Sequence, residues 1–463
     1  MKNLFSFLVI GFIFISCGPN ETSNKSTAVW PGSPCEEELY DIEVTFTQDS
    51  VYKPLSKNLN CKDSFDGEAC LAEAQALKDQ VIEEIKSIDK SIQIDEMFVR
   101  VYLDVSVYLE DLTQIQYDNI VENASGHNYT ISIPFDVQAR RPIMQTDYIQ
   151  QARRPIMQEQ LRYNETLKTS KMILEVGGGG DNLPPKPNRV WIVDSGIDSG
   201  HQDLKFEPAE VSLSEDFSKG NGDPFEDSLG HGTFLAGVIG GLASTNVIYA
   251  QGYGVKGVYP GAKMVSIKIF KDNGKAISSK ILDALEHIWR YSNAGDIVNL
   301  SWGLNMSPRV CNDKKYEKIY AWIDSLATKG VYIVMSAGND AEESLTNFPG
   351  CMDLATSPST VKDKIFTIGS IEVPNPGSIS RDYFYSSFSN FGRPSIDYLT
   401  PGEDVFTTAP GGQYVLVSGT SISAAMFSGI LYHNPIVGTI KPIKRGAAQG
   451  DPDPDYPVAK VGN

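Results

Sequence analysis

The sequence has few of the residues from which metal centres are usually built. Its 463 residues include six cysteines and five histidines, and no two cysteines follow the Cys-x-x-Cys spacing, so a structural zinc site is not expected. Basic residues are also scarce, because 40 Lys and Arg stand against 58 Asp and Glu, a formal net charge of −18. This acidic balance argues against nucleic acid or an anionic membrane surface as the main partner.

The apolar run that stands out lies at the very start of the chain. It extends from Leu4 to Ile15 after the charged Lys2, and it is too short for a comfortable membrane span, so it predicts an export signal over residues 1–17. The run ends in Ile-Ser-Cys-Gly, which resembles the lipobox of bacterial lipoproteins. Two interpretations stay open: a lipid anchor at Cys17 in the bacterial cell envelope, or an ordinary secretory signal. A polar tether, residues 18–35, follows in either case.

Export would permit disulfide bonds between the cysteines that follow the signal. Cys311 and Cys351 are one candidate pair. Closing that loop of about 40 residues would stabilise the fold by roughly 4 kcal/mol on the chain-entropy model. If Cys17 carries lipid, one of the three remaining cysteines has no partner. These three are Cys35, Cys61 and Cys70.

Residues 36–137 carry alternating strand and helix patterns. Alternating apolar residues predict strands, and apolar residues at a spacing of three to four predict helices. The predicted order is strand, helix, strand, helix, strand, over Leu39–Phe46, Glu68–Ile88, Met97–Tyr108, Asp111–Val121 and Tyr129–Phe135. The third segment is long enough to be a hairpin. The pattern predicts a small α+β domain with helices on one face of its sheet.

Residues 138–187 are predicted to be a linker. The octapeptide Gln-Ala-Arg-Arg-Pro-Ile-Met-Gln begins at Gln138 and recurs unchanged from Gln151. A duplication in a tolerant linker is the preferred interpretation, and an exposed processing or docking segment is the alternative. Four glycines at 177–180 and a proline-rich run up to Pro187 then predict a domain boundary.

Residues 188–440 alternate short apolar runs with helical stretches, which predicts an α/β fold with a mainly parallel sheet flanked by helices. Strands are predicted at 190–193, 264–269, 296–300, 331–335 and 365–369, and helices at 233–242, 278–291 and 316–328. In such folds, functional groups collect just past the carboxyl ends of the strands. The last residues, 441–463, are predicted to form an acidic, proline-rich tail.

Four short motifs put reactive side chains at strand ends or helix starts. Asp194 lies in Val-Asp-Ser-Gly, where a carboxylate can orient a histidine. His231 lies in Gly-His-Gly-Thr, at the start of a predicted helix. Asn339 ends Ser-Ala-Gly-Asn, where its amide can donate to an oxyanion, and Ser421 follows Gly-Thr at a helix start, beside outward-pointing N–H groups.

Taken alone, these residues have structural explanations, such as a turn closed by Asp or Asn, or a serine that caps a helix. Their order along the chain decides between these explanations and a catalytic site. Over about residues 188–432 the chain resembles the subtilisin-like serine proteases, with the family's four motifs in the family's order. The resemblance implies that Asp194 orients His231, that His231 is the general base and then the general acid, and that Ser421 is the nucleophile.

The resemblance also implies how a protein or peptide substrate is bound. The side chain of Asn339 and the backbone N–H of Ser421 would form the oxyanion hole. A further set of residues would bind the substrate as an extended strand and line the S1 pocket. They are Ser301, Trp302, Gly303, Ala337 and Gly338.

Two features depart from the family or remain open. Ala425 stands where proline is usual, and only a short segment follows Gly429, where relatives carry a further helix, so the packing of the C-terminus is in doubt. The chemistry requires no cofactor, but the resemblance implies a possible structural calcium ion, since members of the family often bind one. The weak candidate ligands are Asp203, Asp223 and Asp227.

By the same resemblance, residues 36–137 would be an inhibitory propeptide bound by its own enzyme. The protein would then be a zymogen that cuts itself between about Gln158 and Asn188. Two alternatives remain. One is a catalytically inactive relative that serves as a binding or chaperone module, although none of the four groups is missing. The other is an α/β hydrolase or esterase, although no Gly-x-Ser-x-Gly elbow surrounds Ser421.

Overall fold

The computed structural model describes fifteen stretches of the chain. They are residues 40–46, 54, 68–93, 97–101, 105–124, 129–132, 136–138, 162–218, 222–244, 254–305, 316–352, 361–374, 383–392, 395–440 and 456–462. The predicted signal, the tether and the second octapeptide lie outside them. Within these stretches no helix combines the length and the apolar character that a membrane span requires.

The N-terminal part contains a four-stranded antiparallel sheet with two helices. Its elements are β1 (Tyr40–Phe46), α1 (Glu68–Ile88), β2 (Met97–Arg100), β3 (Val105–Leu112), α2 (Gln114–Ala124) and β4 (Tyr129–Ser132), followed by the short β5 (Asp136–Gln138). The strand order is β2-β3-β1-β4. Both helices share one apolar core with the sheet, in which Ile42 and Val107 of the strands meet Val81 of α1 and Ile120 of α2.

The predicted elements of this part are confirmed with two adjustments. The segment predicted as one strand or a hairpin is the hairpin β2-β3, which runs on to Leu112. The second helix begins three residues later than predicted, because Asp111, with a φ of +53°, still belongs to the strand that ends at Leu112. Thr113 and Gln116 then exchange hydrogen bonds in a capping box, since Thr113 N donates to Gln116 Oε1 over 2.8 Å and Gln116 N donates to Thr113 Oγ1 over 3.4 Å.

The second half of the predicted linker is instead part of the large domain. It forms β6 (Tyr163–Asn164), β7 (Thr169–Ser170) and α3 (Lys171–Glu175). Met172, Ile173 and Val176 are buried in the core of that domain. The prediction was wrong because it weighed the glycines at 177–180 above the short apolar run before them, which can bury its side chains within one helical turn.

The large domain is built on a mainly parallel sheet, as predicted. Its strands in chain order are β8 (Val190–Asp194), β9 (Glu215–Asp216), β10 (Met264–Lys268), β12 (Ile297–Leu300), β14 (Tyr332–Ser336), β16 (Ile365–Glu372), β17 (Phe384–Tyr385), β18 (Tyr398–Pro401), β21 (Val437–Ile440) and β22 (Val458–Val461). They follow the order β21-β22-β18-β16-β14-β12-β8-β10-β9, with β17 paired to β16. Only the pairs that involve β17 and β21 are antiparallel among these described strands.

Helices cover both faces of this sheet, and two-stranded pairs surround it. The helices are α4 (Pro208–Val211), α5 (His231–Gly240), α6 (Ser278–Tyr291), α7 (Glu317–Thr328) and α8 (Thr420–His433). The small pairs use β11 (Lys275–Ile277) with β5, β13 (Leu304–Asn305) with β15 (Asn347–Phe348), and β19 (Val405–Ala409) with β20 (Gln413–Val417). Side chains of α5 and α8 share one core cluster with the sheet, and those of α6 and α7 share the cluster of the opposite face.

The prediction of an acidic, proline-rich tail over residues 441–463 is wrong at the end of that range. β22 pairs in parallel with β18 and antiparallel with β21, so residues 458–461 are part of the main sheet, and Tyr456 is fully buried. The short apolar run of β22 finds its partners in strands far away along the chain, and no local pattern announces that pairing. Cys70 and Cys351 each take part in a disulfide bond. Cys311 lies outside the described residues, so its pairing with Cys351 stays a prediction.

Candidate active site

Asp194 and His231 are in direct contact at the carboxyl end of the sheet. Asp194 is the last residue of β8, and His231 is the first residue of α5. The Nδ1 atom of His231 lies 2.8 Å from Oδ1 of Asp194, and both side chains are almost completely buried. The backbone N–H of Ser195 donates to the same carboxylate oxygen over 2.8 Å. The carboxylate therefore orients the imidazole ring and leaves Nε2 on the opposite side.

Two glycines allow this contact. A Cβ atom on Gly232 would lie 2.0 Å from the carbonyl oxygen of Gly196, and a Cβ atom on Gly196 would lie 2.3 Å from the carbonyl oxygen of Glu226. Gly196 also has a φ of +105°, which L side chains rarely adopt. Any side chain at these two positions would push the start of α5 away from the end of β8.

The charges around His231 favour its protonated form. Burial lowers the pKa of His231, but the charge of Asp194, its hydrogen bond and the charge of Asp227 outweigh burial and raise the pKa above the ordinary value of 6.5. An imidazole in this position can take a proton and hold it as an imidazolium ion that Asp194 stabilises.

Ser421 and Asn339 meet around Gly419. A Cβ atom on Gly419 would lie 3.1 Å from Oγ of Ser421 and 3.4 Å from Nδ2 of Asn339. The absence of that carbon leaves a small space bounded by a hydroxyl and an amide donor. Oδ1 of Asn339 accepts hydrogen bonds from N and Oγ1 of Thr420, over 2.9 and 2.8 Å. The Nδ2 group consequently faces away from Thr420.

Several of these polar atoms are buried and have no hydrogen-bond partner among the described residues. They are Oδ2 of Asp194, Nε2 of His231, Nδ2 of Asn339 and Oγ of Ser421. The structure thus brings together Asp194 with His231 and Ser421 with Asn339, but it contains no hydrogen bond between His231 and Ser421. Such bonds are often long without substrate and tighten when it binds. Buried polar atoms without partners are rare in folded proteins, and functional sites are one of the places where they occur.

The predicted substrate-binding residues lie in two places, directly after β12 and directly after β14. Ser301 follows β12, and its Oγ atom donates to Oδ1 of Asn299 over 2.7 Å and lies 3.2 Å from the carbonyl oxygen of Ser421, beside the serine helix. Gly338 has its N–H 3.0 Å from Oγ1 of Thr420. Gly303 continues the chain after Trp302. The side chains of Trp302 and Ala337, like that of Ser301, are fully buried, and their part in binding substrate stays a prediction.

Sequence reasoning missed the residues that hold the reactive groups. Thr420 anchors Asn339. Asn390 anchors the loop that follows Asn339, because its Oδ1 accepts from the backbone N–H groups of Asp340 and Glu342, and its own N–H donates to Gly338 O. Thr420 lies within the Gly-Thr-Ser motif, which is a usable signal, whereas nothing local marks Asn390.

Two of the three calcium candidates, Asp203 and Asp227, do not fit a metal ion in this structure. The carboxylate of Asp203 accepts hydrogen bonds from Ser244 N, Val255 N and the phenol of Tyr414, over 2.6 to 2.8 Å. That of Asp227 accepts four hydrogen bonds, and Asp223 accepts one from Phe225 N. N–H and O–H donors occupy the directions from which a cation would be bound. The described part of the chain contains no group of three His, Cys, Asp or Glu residues arranged for a metal.

The large domain is similar in sequence to a known protein family. Residues 188–433 match the family model described as the subtilase family. Subtilisin NAT of Bacillus subtilis subsp. natto and subtilisin E of Bacillus subtilis (strain 168) are each 29% identical to this chain over 241 residues, which cover 52% of this chain and 53% of each relative. The chain therefore spans about half the length of these relatives. The solved structure of sphericase aligns at 21% identity with a TM-score of 0.47, covering 63% of this chain and 98% of that one.

Proposed function

Since the match to its family model covers just over half of the residues, the chain belongs to the subtilase family, and we propose that it is a serine endopeptidase. The observation that carries the proposal is the buried contact between Asp194 and His231, combined with the unpartnered hydroxyl of Ser421 beside the amide of Asn339. This arrangement supplies a base, the acid group that orients it, a nucleophile and an oxyanion donor.

In the proposed mechanism, Oγ of Ser421 attacks the carbonyl carbon of the peptide bond while Nε2 of His231 takes the hydroxyl proton. The tetrahedral oxyanion is held by Nδ2 of Asn339 and the backbone N–H of Ser421. His231 then gives the proton to the leaving amine, which departs and leaves an acyl-enzyme on Ser421. Water, deprotonated by His231, attacks the carbonyl carbon of this ester, and His231 returns the proton to Oγ of Ser421 as the carboxylic acid product leaves. Asp194 keeps the Nδ1–H tautomer and stabilises the imidazolium ion.

The pairing of β5 with β11 supports an extended protein substrate. Asp136 lies opposite Ile277 and Gln138 opposite Lys275 in antiparallel register, so the edge of β11 accepts a strand from another part of the chain. Backbone hydrogen bonds along an edge give affinity for a peptide without demanding a particular side-chain sequence. Ser301 and Gly303 are the proposed residues of the other substrate-binding strand.

Ion pairs between the N-terminal sheet and the large domain support a zymogen in which residues 36–137 inhibit the enzyme. Arg100 of β2 forms ion pairs with Glu43 of β1 over 2.5 Å and with Asp283 of α6 over 2.7 Å. Lys280 of α6 pairs with Glu110 of β3 over 3.3 Å. The N-terminal sheet is therefore tied by buried charges to the helix that follows β11.

We expect the self-cleavage between Gln138 and Arg162. The window predicted from the sequence runs from about Gln158 to Asn188, and this proposal moves it towards the N-terminus. Arg162 is anchored by an ion pair to Asp404 over 3.1 Å and by a bond to Val373 O over 2.9 Å. Beyond Arg162, residues 163–164 pair with residues 169–170, and Met172 and Ile173 are buried in the large domain, so a cut in this part would have to disturb folded structure. Intact mass and N-terminal sequencing of the purified protein, compared with Ser421→Ala, test this. A mature N-terminus well beyond Arg162 would contradict it.

Export and a lipid anchor at Cys17 are further parts of the proposal. Labelling cells with a radioactive fatty acid should mark the wild-type protein and leave Cys17→Ser unlabelled. Release of unlabelled wild-type protein into the medium would instead favour the ordinary secretory signal.

A fluorophosphonate probe tests the chemistry. We expect it to label the mature protein at Ser421 and to leave Ser421→Ala unlabelled, and we expect turnover of a peptide substrate to be lost with the label. Higher turnover of esters than of peptides would favour an esterase. Binding of peptides without labelling or turnover would favour an inactive binding module.

A further inference from the structure

Asp227 receives four hydrogen bonds in the loop before α5. Its Oδ1 accepts from Oγ of Ser195 and from the N–H of Gly230, both over 2.8 Å. Its Oδ2 accepts from the N–H of Thr233 over 2.8 Å and from Oγ1 of Thr233 over 2.6 Å. The side chain is 7% exposed. A buried carboxylate with four donors is fully satisfied and has no capacity left for a metal ion.

The directions of the hydroxyl protons can be worked out. Oγ of Ser195 already accepts the N–H of Gly232 over 3.0 Å, and Oγ1 of Thr233 accepts the N–H of Asp198 over 2.9 Å. Both hydroxyl protons are thereby left for Asp227. Burial and the charge of Asp194 raise the pKa of Asp227, against the opposing effect of the bonds from Thr233 and Ser195. The geometry argues for the ionised form, because all four hydrogen bonds to this carboxylate come from donors.

These partners lie on both sides of the contact between Asp194 and His231. Ser195 is the next residue after Asp194, whereas Gly230 and Thr233 flank His231. Resting on the proposed function, we propose that Asp227 is a positioning residue that fixes the end of β8 against the start of α5, at the separation where Asp194 and His231 form their hydrogen bond. It touches neither the substrate nor the reacting atoms.

Asp227 also adds a second negative charge near the imidazole. The elements packed against α5 are β8, β19 and α8. Among them, β8 contributes Asp194, β19 has no titratable side chain, and α8 has only Tyr432 and His433, at its far end. Removing the charge of Asp227 should therefore lower the pKa of His231 and move the acid limb of the rate profile to lower pH.

The test compares Asp227→Asn with Asp223→Asn, an Asp in the same loop that bonds Phe225 N. Active sites are counted with the fluorophosphonate probe, and kcat and KM for a peptide are measured against pH. We expect Asp227→Asn to lose on the order of 10- to 100-fold in kcat with little change in KM, since misplaced groups lose turnover rather than affinity. Its acid limb should move to lower pH, while Asp223→Asn behaves as wild type.

A second variant covers the case in which Asp227→Asn does not fold. Ser195→Ala keeps the bonds of Asp227 to α5 and removes its link to the turn after Asp194, together with the bond that Oγ of Ser195 accepts from the N–H of Gly232. In both variants the proton resonance of His231 Nδ1–H, which reports the bond to Asp194 whether or not the protein turns over substrate, should shift or broaden. An unchanged kcat and resonance in the variant that folds would overturn the proposal. A wild type that shows this resonance but no labelling or turnover would overturn the proposed function instead.

Discussion

Thr420 holds the amide of Asn339 in a single orientation. Its N–H and its hydroxyl both bond Oδ1 of Asn339, over 2.9 and 2.8 Å, and its hydroxyl also accepts the N–H of Gly338 over 3.0 Å. Because an amide with its oxygen bound twice must present its NH₂ group elsewhere, the donor is aimed before any substrate arrives. Such preorganised donors stabilise a developing oxyanion without the cost of reorienting them.

Asn339→Ala should reduce kcat by about 10²- to 10³-fold with little change in KM, a magnitude established on subtilisin itself. The reason is that Nδ2 bonds the oxyanion more strongly than the ground-state carbonyl. Steady-state kinetics on a peptide substrate measure it. Thr420→Val keeps the backbone bond to Asn339 and loses the hydroxyl bonds, so its loss should be smaller. Wild-type turnover in Asn339→Ala would contradict the assigned role.

The pH profile should show an acid limb above pH 6.5, set by His231. Its imidazole must be neutral to accept the serine proton, and its pKa is raised, so kcat/KM should fall by about tenfold per pH unit below that pKa. Asp194→Asn removes the charge that raises the pKa, and should move the limb to lower pH while kcat drops by about 10⁴-fold. A limb that stays in place in Asp194→Asn would show that another group controls it.

The sequence predicted those parts of the fold that rest on local patterns. The strands ending at Asp194 and Ser336 are apolar runs followed by a turn glycine, and each is confirmed within one residue. The contact of Asp194 with His231 followed from the rule that parallel strands end at one edge, together with the family resemblance.

Pairings between distant segments could not be predicted. β22 is four residues long, and its partners β21 and β18, the latter some sixty residues earlier, make it a strand. The bonds of Asp203 likewise depend on donors from distant segments, and so does the bond that Asp227 accepts from Ser195. An isolated Asp in a loop carries the same local signal whether a cation or N–H groups surround it.

Arg100→Leu should loosen the N-terminal sheet from the large domain. Arg100 is 2% exposed and lies between Glu43 and Asp283. Its removal takes the shorter ion pair from Asp283 and one of two cations from Glu43, which keeps Lys318, so it should cost about 3 kcal/mol. In a Ser421→Ala background, which cannot cut itself, amide hydrogen exchange in β1 and β2 should accelerate by about 100-fold or more.

The control for that change is Lys205→Ala. Lys205 forms an ion pair with Glu207 in which both side chains are more than half exposed, and surface pairs of this kind contribute little. Exchange in β1 and β2 should not respond to it. Equal exchange rates in Arg100→Leu and Lys205→Ala would mean that the buried charges do not hold the two parts together.

Thermal unfolding should not depend on calcium. Asp203 holds Ser244 and Val255, the two ends of a loop, through their N–H groups, and Tyr414 supplies a third donor. Residues 245–253, between those ends, include no Asp or Glu. The melting temperature of Ser421→Ala should therefore be the same in EDTA and in excess Ca²⁺.

Adding Asp203→Asn to this variant turns an NH₂ group toward donors and should lower the free energy of unfolding by about 1–3 kcal/mol. The control Asp181→Asn, at an exposed carboxylate, should cost far less. If Ca²⁺ raised the melting temperature and Asp203→Asn abolished that rise, Asp203 would be a metal ligand. The claim that hydrogen bonds alone join Asp203 to the two ends of the loop would then be wrong.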